Sequence, residues 1–176
     1  NPVVLETVAS PQSVITSNAS GRMVSVECRM VPGDDIWVTD RALPDGRGDW
    51  LIQHCRTAEG ASLAVAAGWV PDSADLADSS PGLDSSLRNL IGRYVPTESP
   101  QSSEFDQGVR SAISVAELIN LWADPGPVYG GYVVANEAPT GLLTIPTDPP
   151  PLRGELNWLN VFYAAEWAIF AVFALS

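Results

Sequence analysis

The sequence predicts an α+β fold, in which a mainly antiparallel β domain with one short helix is followed by a C-terminal transmembrane helix. Short apolar runs separated by turn residues recur before position 136 and indicate strands. A capping-box pattern at 114–117 indicates the helix. The last twenty-odd residues are apolar and, at about 1.5 Å per helical residue, would cross the hydrocarbon core of a bilayer. We therefore expect a β-rich domain over 1–145, a proline-rich spacer over 146–154 and a transmembrane helix over 155–176.

Strand character begins at segment 22–31. Its apolar residues alternate with polar ones, as in a strand with one buried face: Val24, Val26, Cys28 and Met30. Three further apolar runs follow, and turn residues separate them: 36–39, 50–55 and 63–70. Because the connections are short, we expect these strands to pair antiparallel.

The helix is predicted downstream of a further strand at 87–100. Ser114 fits the N-cap position, and Glu117 lies three residues later, where its side chain could bond back to the N-cap. The apolar residues that follow give this segment one apolar face. The pattern predicts a helix from Val115 to Trp122, ended by the Asp-Pro-Gly-Pro sequence that follows.

A last strand is predicted at 128–137, with Gly130 and Gly131 inside it. Glycine within a strand indicates a bulge or a close approach of another backbone. The proline-rich segment 146–151 lacks the N–H donors that sheet and helix need, so we expect it to act as a spacer.

The C-terminal stretch Leu156–Leu175 carries one charge, Glu166, and no glycine or proline. A buried helix of a globular core would also be apolar all round. Aromatic residues crowd its first half, as is typical of a membrane interface: Trp158, Tyr163 and Trp167. The sequence therefore predicts a transmembrane helix, and since the chain begins without methionine we expect a signal peptide or a first membrane helix upstream of Asn1.

The charge balance excludes one class of partner and favours one location. The formal net charge is −12, and all nine basic residues are arginine. Such a surface repels nucleic acid. Basic residues gather on the cytoplasmic side of membrane proteins, so an acidic domain fits the extracytoplasmic side of the cell membrane. Cys28 and Cys55 could form a disulfide there, and the sequence leaves this open.

The residues required for most catalytic chemistry are sparse. His54 is the only histidine, and because it adjoins Cys55 in a predicted strand the two side chains would point to opposite faces. We find no nucleophile-elbow, phosphate-loop or zinc-ligand spacing. We therefore predict no catalytic, metal-binding or cofactor-binding residue. Acidic residues are abundant, so a membrane-tethered hydrolase with paired carboxylates stays the alternative function.

Three motifs in the chain occur in the same order in one known family. Gly21-Arg22-Met23 is similar to a G-[RY]-[YM] strand opening, residues 64–71 (AVAAGWVP) to a V-N-R-G-W-V-P signature, and residues 160–167 (NVFYAAEW) to an H-L-x-Y-A-x-x-W membrane helix. On these motifs the chain resembles the surfeit-locus family of cytochrome c oxidase assembly factors. The bias toward alanine, aspartate and arginine without lysine suggests a high-GC bacterial source, and the chain looks like a divergent, actinobacterial member of the family. The resemblance implies two membrane helices flanking an extracytoplasmic domain.

The resemblance also implies a function, with two departures. The family's membrane-helix histidine is linked to haem a handling, and here Asn160 takes its place. Ala67 takes the place of the signature arginine. We therefore expect no bound haem, and structural roles for Gly68, Trp69 and Pro71.

What remains is a membrane-anchored assembly or accessory factor of the haem–copper oxidase. It would be noncatalytic and could be a resident subunit of a respiratory supercomplex. The expected partners are cytochrome c oxidase subunits and a cytochrome bc complex. The predicted contacts with a partner or with the membrane lie in the last segment: Trp158, Asn160, Tyr163, Glu166 and Trp167.

Overall fold

The computed structural model describes residues 1–44, 46–71, 85–99 and 112–147. A short 3-10 helix, Leu5–Thr7, follows the first strand. The described elements are β1 (Val3–Val4), β2 (Met23–Met30), β3 (Ile36–Leu43), β4 (Gly46–Thr57), β5 (Ser62–Pro71), β6 (Arg88–Pro96), α1 (Val115–Leu121) and β7 (Val128–Ala135).

Five of the strands close into a barrel. The strand order is β1-β2-β6-β7-β5-β4-β3, and β2 also pairs with β4. This extra pairing is antiparallel and covers three residue pairs, from Cys28 opposite Thr57 to Met30 opposite Cys55. It joins the two ends of the five-strand sheet β2-β6-β7-β5-β4, so the sheet has no open edge within these strands. Strands β1 and β3 lie outside the closed ring and extend it.

The predicted α+β class is therefore wrong, because the described part of the chain is a mostly β, closed barrel. The α-helical content of the described residues is one seven-residue helix. Two pairings are also parallel, β1 with β2 and β5 with β7. Local alternation could not predict barrel closure, since β2 and β4 are separated by the whole of β3.

The predicted C-terminal transmembrane helix has no support in the structure. Residues 155–176 lie outside the described residues. Within the described ranges, every helix is too short or too polar to cross a bilayer.

The individual strand predictions agree with the structure. Strand β2 lies within the predicted segment 22–31, and the three runs that follow correspond to β3, β4 and β5. The predicted close approach at the glycine pair is confirmed: a Cβ on Gly130 would lie 2.8 Å from the carbonyl oxygen of Ser13, and one on Gly131 would lie 2.5 Å from that of Val95. The register between β5 and β7 shifts at the same place.

The barrel separates two apolar cores. Its interior is filled from all five strands and from the N-terminal segment: Leu5, Val24, Val26, Met30, Cys55, Leu63, Val65, Tyr94, Tyr129 and Val133. A second core lies between α1 and the outer face of β4, β5 and β7: Ile52, Ala64, Ala66, Ile113, Leu118, Trp122, Val134 and Ile145. Helix α1 is thus held by packing against the barrel wall.

A disulfide joins Cys28 to Cys55 at the point where the barrel closes. The two residues lie diagonally across the β2–β4 pairing, with Cα atoms 5.8 Å apart. Both are fully buried in the barrel interior. The bond therefore fixes the shortest pairing in the barrel covalently.

The start of α1 differs from the predicted capping box. Ser114 is the N-cap residue, but its side chain makes no capping hydrogen bond. The hydroxyl of Thr97, just beyond β6, accepts the Val115 N–H at 2.9 Å instead. Oε1 of Glu117 is buried and has no hydrogen-bond partner among the described residues. Capping from β6 fixes the helix to the barrel, which a local capping box would not do.

Candidate functional site

Residues 64–71, which are similar to the V-N-R-G-W-V-P signature, end at a corner of the fold. There β5 pairs with the last described segment of the chain. Trp69 and Leu143 exchange two backbone hydrogen bonds, each 2.9 Å long. The indole Nε1–H of Trp69 also donates to the carbonyl oxygen of Thr144 at 3.1 Å. Trp69 therefore fixes the path of residues 142–147, from which the chain continues toward its C-terminus.

Two glycines make this corner possible. A Cβ on Gly68 would lie 2.8 Å from Cβ of Leu142 and 3.0 Å from the carbonyl oxygen of Leu143. A Cβ on Gly48, in the neighbouring strand, would lie 2.5 Å from the Trp69 ring. The two carbon–carbon distances are shorter than non-bonded carbon atoms tolerate. The corner therefore leaves no room for a side chain at either glycine.

Beside this corner lies a shallow apolar groove of about 370 Å³. We call it the Trp69 groove and define it by six of its residues: Leu43, Pro44, Arg47, Trp69, Leu143 and Pro146. Leu143 is 51 % exposed, and Trp69 and Leu43 are half-buried. Exposed apolar residues gathered in one place are typical of an interaction surface. This groove is the candidate functional site.

A buried polar network connects the barrel wall to the loop after α1. His54 is fully buried in β4; its Nδ1 lies 2.6 Å from Oδ2 of Asp34 and its Nε2 lies 2.6 Å from Oγ of Ser62. The imidazole stacks on Trp122, with ring centroids 4.0 Å apart and planes inclined by 5°. We call these four residues the His54 network.

Ser62, His54 and Asp34 are linked in the same order as the side chains of a Ser-His-Asp triad. The Ser62 hydroxyl, however, is not accessible to a substrate. Ser62 is fully buried, and its hydroxyl oxygen lies between His54 Nε2 and the carbonyl oxygen of Pro125. A nucleophile must reach a substrate carbonyl on its open side. Here the backbone of Pro125 lies on that side, so the network is suited to holding the loop against β4 and β5.

Burial sets the protonation of the network. It lowers the pKa of His54, and the Asp34 carboxylate opposes only part of that effect. Arg56 supports the same loop from β4 by donating to the carbonyl oxygens of Asp124 and Pro125.

Asp34 and Asp35 are consecutive, but their carboxylates contact side chains on opposite faces of β4. Asp34 pairs with His54 on the outer face, whereas Asp35 accepts a long hydrogen bond from Nε2 of Gln53, at 3.5 Å, and Gln53 belongs to the other face. Burial raises the pKa of Asp35. Because the two carboxylates diverge, they do not form the converging pair that the hydrolase alternative needs.

A second charged cluster lies outside the barrel near the start of α1. Arg41 donates two hydrogen bonds to the Glu98 carboxylate, both 2.6 Å long, and its guanidinium lies 4.5 Å from the centre of the Trp50 ring. The Tyr132 hydroxyl and the Ile113 N–H donate to the same carboxylate at 3.0 Å. Burial alone would raise the pKa of Glu98, but these donors hold it below its usual value.

Some of the predicted site residues are described by the structure and others are not. Gly68, Trp69 and Pro71 lie together at the end of β5. Ala67, at the position of the signature arginine, is buried in β5 beside a cavity of about 200 Å³. The predicted partner and membrane contacts lie outside the described residues: Trp158, Asn160, Tyr163, Glu166 and Trp167.

Sequence reasoning missed the His54 network. It placed His54 and Cys55 on opposite faces, and Cys55 does point into the barrel while His54 lies outside. The short turn between β4 and β5 was the available signal, because an antiparallel pairing with Arg56 opposite Ser62 sets His54 diagonally beside Ser62. No local pattern indicates Asp34, which comes from the loop before β3.

Comparison with known proteins identifies the family. The model of the SURF1 family matches residues 1–172. A search of curated proteins found no match. The match covers nearly the whole chain, including the β5 corner, so the chain belongs to the SURF1 family, which is linked to cytochrome c oxidase assembly.

Proposed function

We propose that this protein is a noncatalytic accessory factor of the haem–copper cytochrome c oxidase, bound to the oxidase at the extracytoplasmic face of the cell membrane. The observation that carries the proposal is the family match over residues 1–172. The finer proposal is that it is a resident subunit, in a supercomplex of the oxidase with a cytochrome bc complex. Haem delivery is not part of it, because Asn160 and Ala67 replace the histidine and arginine of the resembling motifs.

The proposed location is supported by the disulfide between Cys28 and Cys55. Disulfides persist in exported domains and are rare in the reducing cytoplasm. The net charge of −12 is compatible with that side and would favour docking beside basic surfaces.

A binding role is supported by how the polar groups are used. The triad-like residues of the His54 network hold a loop and face the Pro125 backbone. The Arg41 and Glu98 charges are satisfied by each other and by Tyr132. The apolar residues of the Trp69 groove, by contrast, are at least partly exposed and available to a neighbour.

The test is a mild-detergent pull-down of the full-length, tagged protein from its native membrane. Mass spectrometry would measure the captured subunits, and a visible spectrum would measure haem. We expect oxidase and cytochrome bc subunits in amounts equal to the bait. Early assembly intermediates captured in less than equal amounts would overturn the finer proposal and identify a transient assembly factor. An eluate with neither oxidase subunits nor haem absorbance would overturn the whole proposal.

The same pull-down can assess the Trp69 groove. Leu143→Asp places a charge on the exposed part of the groove, whereas Val14→Asp does so at a distant position that is 91 % exposed. If the oxidase binds through the groove, only the Leu143 variant loses captured subunits. Equal capture by both variants would move the oxidase contact away from the groove.

A further inference from the structure

One mouth of the barrel contains a cavity of about 200 Å³. It lies where β2 separates from β4: their pairing ends with Met30 opposite Cys55, and β3 becomes the partner of β4 from Ile52 onward. Gln53 lies between these two pairings and lines the cavity. The start of β6 and the end of β7 supply further walls: Leu90, Ile91 and Ala135. Ligand sites commonly occupy the mouths of β-barrels, so this cavity is a candidate binding site.

Gln53 brings an unpartnered acceptor to the cavity. The residue is 2 % exposed, and its Nε2 donates to Oδ2 of Asp35 at 3.5 Å. Its Oε1 is buried and has no hydrogen-bond partner among the described residues, and the same is true of Oδ1 of Asp35. A buried acceptor without a donor costs free energy. A ligand that supplies N–H groups to Gln53 is therefore favoured at this place.

A bulge in β5 keeps the cavity open. Leu51 in β4 lies opposite Gly68. The next residue of β4 lies opposite Ala66, so Ala67 is an extra residue in β5. Bulges re-aim side chains next to binding sites. Ala67 is buried and lines the cavity, and because its side chain ends at Cβ it leaves the space beside Gln53 unfilled.

The size of the cavity fits one side chain better than a free metabolite. Pockets for small molecules usually measure about 300–1,000 Å³, whereas a cavity of about 150 Å³ holds a molecule as small as benzene. Part of the wall is apolar and suits an alkyl stem: Met30, Val65 and Leu90. The occupant should therefore have an apolar stem and a head that carries N–H donors.

The charges near the cavity favour a positively charged head. Glu137 is exposed at the rim, and the chain as a whole carries a net charge of −12. Arg88 is the one basic residue among the described lining residues, and because it is exposed, water and salt screen its repulsion. The unpartnered atoms Gln53 Oε1 and Asp35 Oδ1 are acceptors, which a cationic donor satisfies best.

From the unpartnered acceptor, the size and the charges we infer that this barrel mouth binds an arginine side chain of a partner protein. A guanidinium presents five N–H donors in one plane, so its head can reach Gln53 Oε1 while its stem lies against the apolar wall. Arginine inserted into a desolvated pocket is typical of the energetic centre of an interface. The inference does not rest on the proposed function, because it concerns a contact of the barrel itself.

The experiment titrates the full-length, ¹⁵N-labelled protein with n-propylguanidinium and follows the Gln53 side-chain amide and the backbone amides of Ala67 and Leu90 by NMR. We expect saturable shifts with a Kd of about 1 mM. Neutral n-propylurea and n-propyltrimethylammonium, which has no N–H, should each bind about tenfold more weakly. A blocked Gly-Arg-Gly tripeptide should bind at least as tightly as n-propylguanidinium, and the Gly-Lys-Gly tripeptide more weakly.

Three variants test the contact. Gln53→Met keeps the volume but removes the oxygen, and it should weaken n-propylguanidinium binding by about tenfold or more. Ala67→Leu fills the cavity from β5 and should block binding while Gln53 stays in place. Asn120→Leu removes an exposed amide on α1 as a matched control and should leave the affinity unchanged.

Four results would overturn the inference. They are the absence of saturable shifts, as for a cavity that holds only water; equal affinity for the three small probes; unchanged affinity in Gln53→Met; or binding of n-propylguanidinium without binding of the arginine tripeptide, which would indicate a free small molecule as the ligand. Its failure is distinguishable from failure of the proposed function, because probe binding needs no oxidase and the pull-down needs no probe.

Discussion

The imidazole of His54 lies flat against the indole of Trp122, with centroids 4.0 Å apart. His54 belongs to β4, and Trp122 is the C-cap residue of α1. The same imidazole contacts Asp34 from the loop before β3 and Ser62 from β5. One side chain therefore joins four separate segments, and its replacement should affect all of them together.

We expect His54→Phe to lower the free energy of unfolding by about 2–4 kcal/mol, because Phe keeps the stacking but leaves Asp34 and Ser62 without their partner. Urea unfolding followed by fluorescence measures this. The double variant His54→Phe, Asp34→Leu should recover part of the loss, since the buried carboxylate is gone. A single variant as stable as the parent would show that the network contributes little.

Stability should fall on mild acidification because of His54. Burial lowers its pKa in the folded state below that of the unfolded chain, about 6.5, so the unfolded chain binds more protons below that pH. The stabilising contribution is complete above about pH 6.5 and is lost as the pH falls through the folded pKa. The urea concentration at the midpoint of unfolding should therefore decrease between about pH 8 and pH 5. In His54→Phe this decrease should be smaller, since the chain has no other histidine.

Reduction of the disulfide should destabilise the barrel by about 2–4 kcal/mol, as expected for a closed loop of this length. The bonded residues are separated by 27 positions. The measurement compares urea unfolding with and without reductant. The double variant Cys28→Ala, Cys55→Ala should have the free energy of unfolding of the reduced parent, with or without reductant. A parent whose free energy of unfolding does not change with reductant would contradict the prediction.

Gly68→Ala should weaken the pairing of residues 142–147 with the end of β5. The added methyl group would lie 2.8 Å from Cβ of Leu142, which costs about 1–3 kcal/mol through overpacking. Hydrogen exchange should rise at the amides of Trp69 and Leu143, which bond to each other's carbonyls. Gly141→Ala is a useful comparison, because its methyl group would meet nothing within 4 Å although its backbone, at φ +95°, would be strained. Exchange at Trp69 should rise less in that variant.

Glu98→Gln should lower the free energy of unfolding by about 1–3 kcal/mol, because Arg41 loses its charged partner. In the parent, the low pKa of Glu98 stabilises the fold above the unfolded value of about 4.5, and this contribution is lost as the pH falls through the folded pKa. Acid titration of both proteins, with the exposed Glu27→Gln as a control, measures it. Equal acid sensitivity of parent and Glu98→Gln would contradict the assignment.

Residue patterns located the strands but not the barrel. Burial of one face gives β2 its alternation, so Val24, Val26 and Cys28 mark it in the sequence. Closure depends on Met30 meeting Cys55, a contact between distant segments that leaves no local signature. The start of α1 shows the same limit, since Thr97 provides the cap that a local pattern assigned to Ser114.

In the candidate site, too, only residues that are contiguous in sequence could be predicted. Gly68 and Trp69 were identified because the signature is contiguous in sequence. The groove beside them was not, because it needs Leu43 from β3 and Leu143 from the segment after β7. The His54 network likewise draws on residues 20 positions apart in the chain at its Asp34 contact.

The position of the disulfide has a consequence for the order in which the molecule can be built. Strands β2 to β5 are consecutive in the chain, and the bond joins two of them. Strands β6 and β7 come later and insert side by side between β2 and β5. A chain that emerges N-terminus first can form this covalent ring before its last third has been synthesised. The bridged first half then leaves a gap two strands wide between β2 and β5, which β6 and β7 fill side by side in the finished barrel.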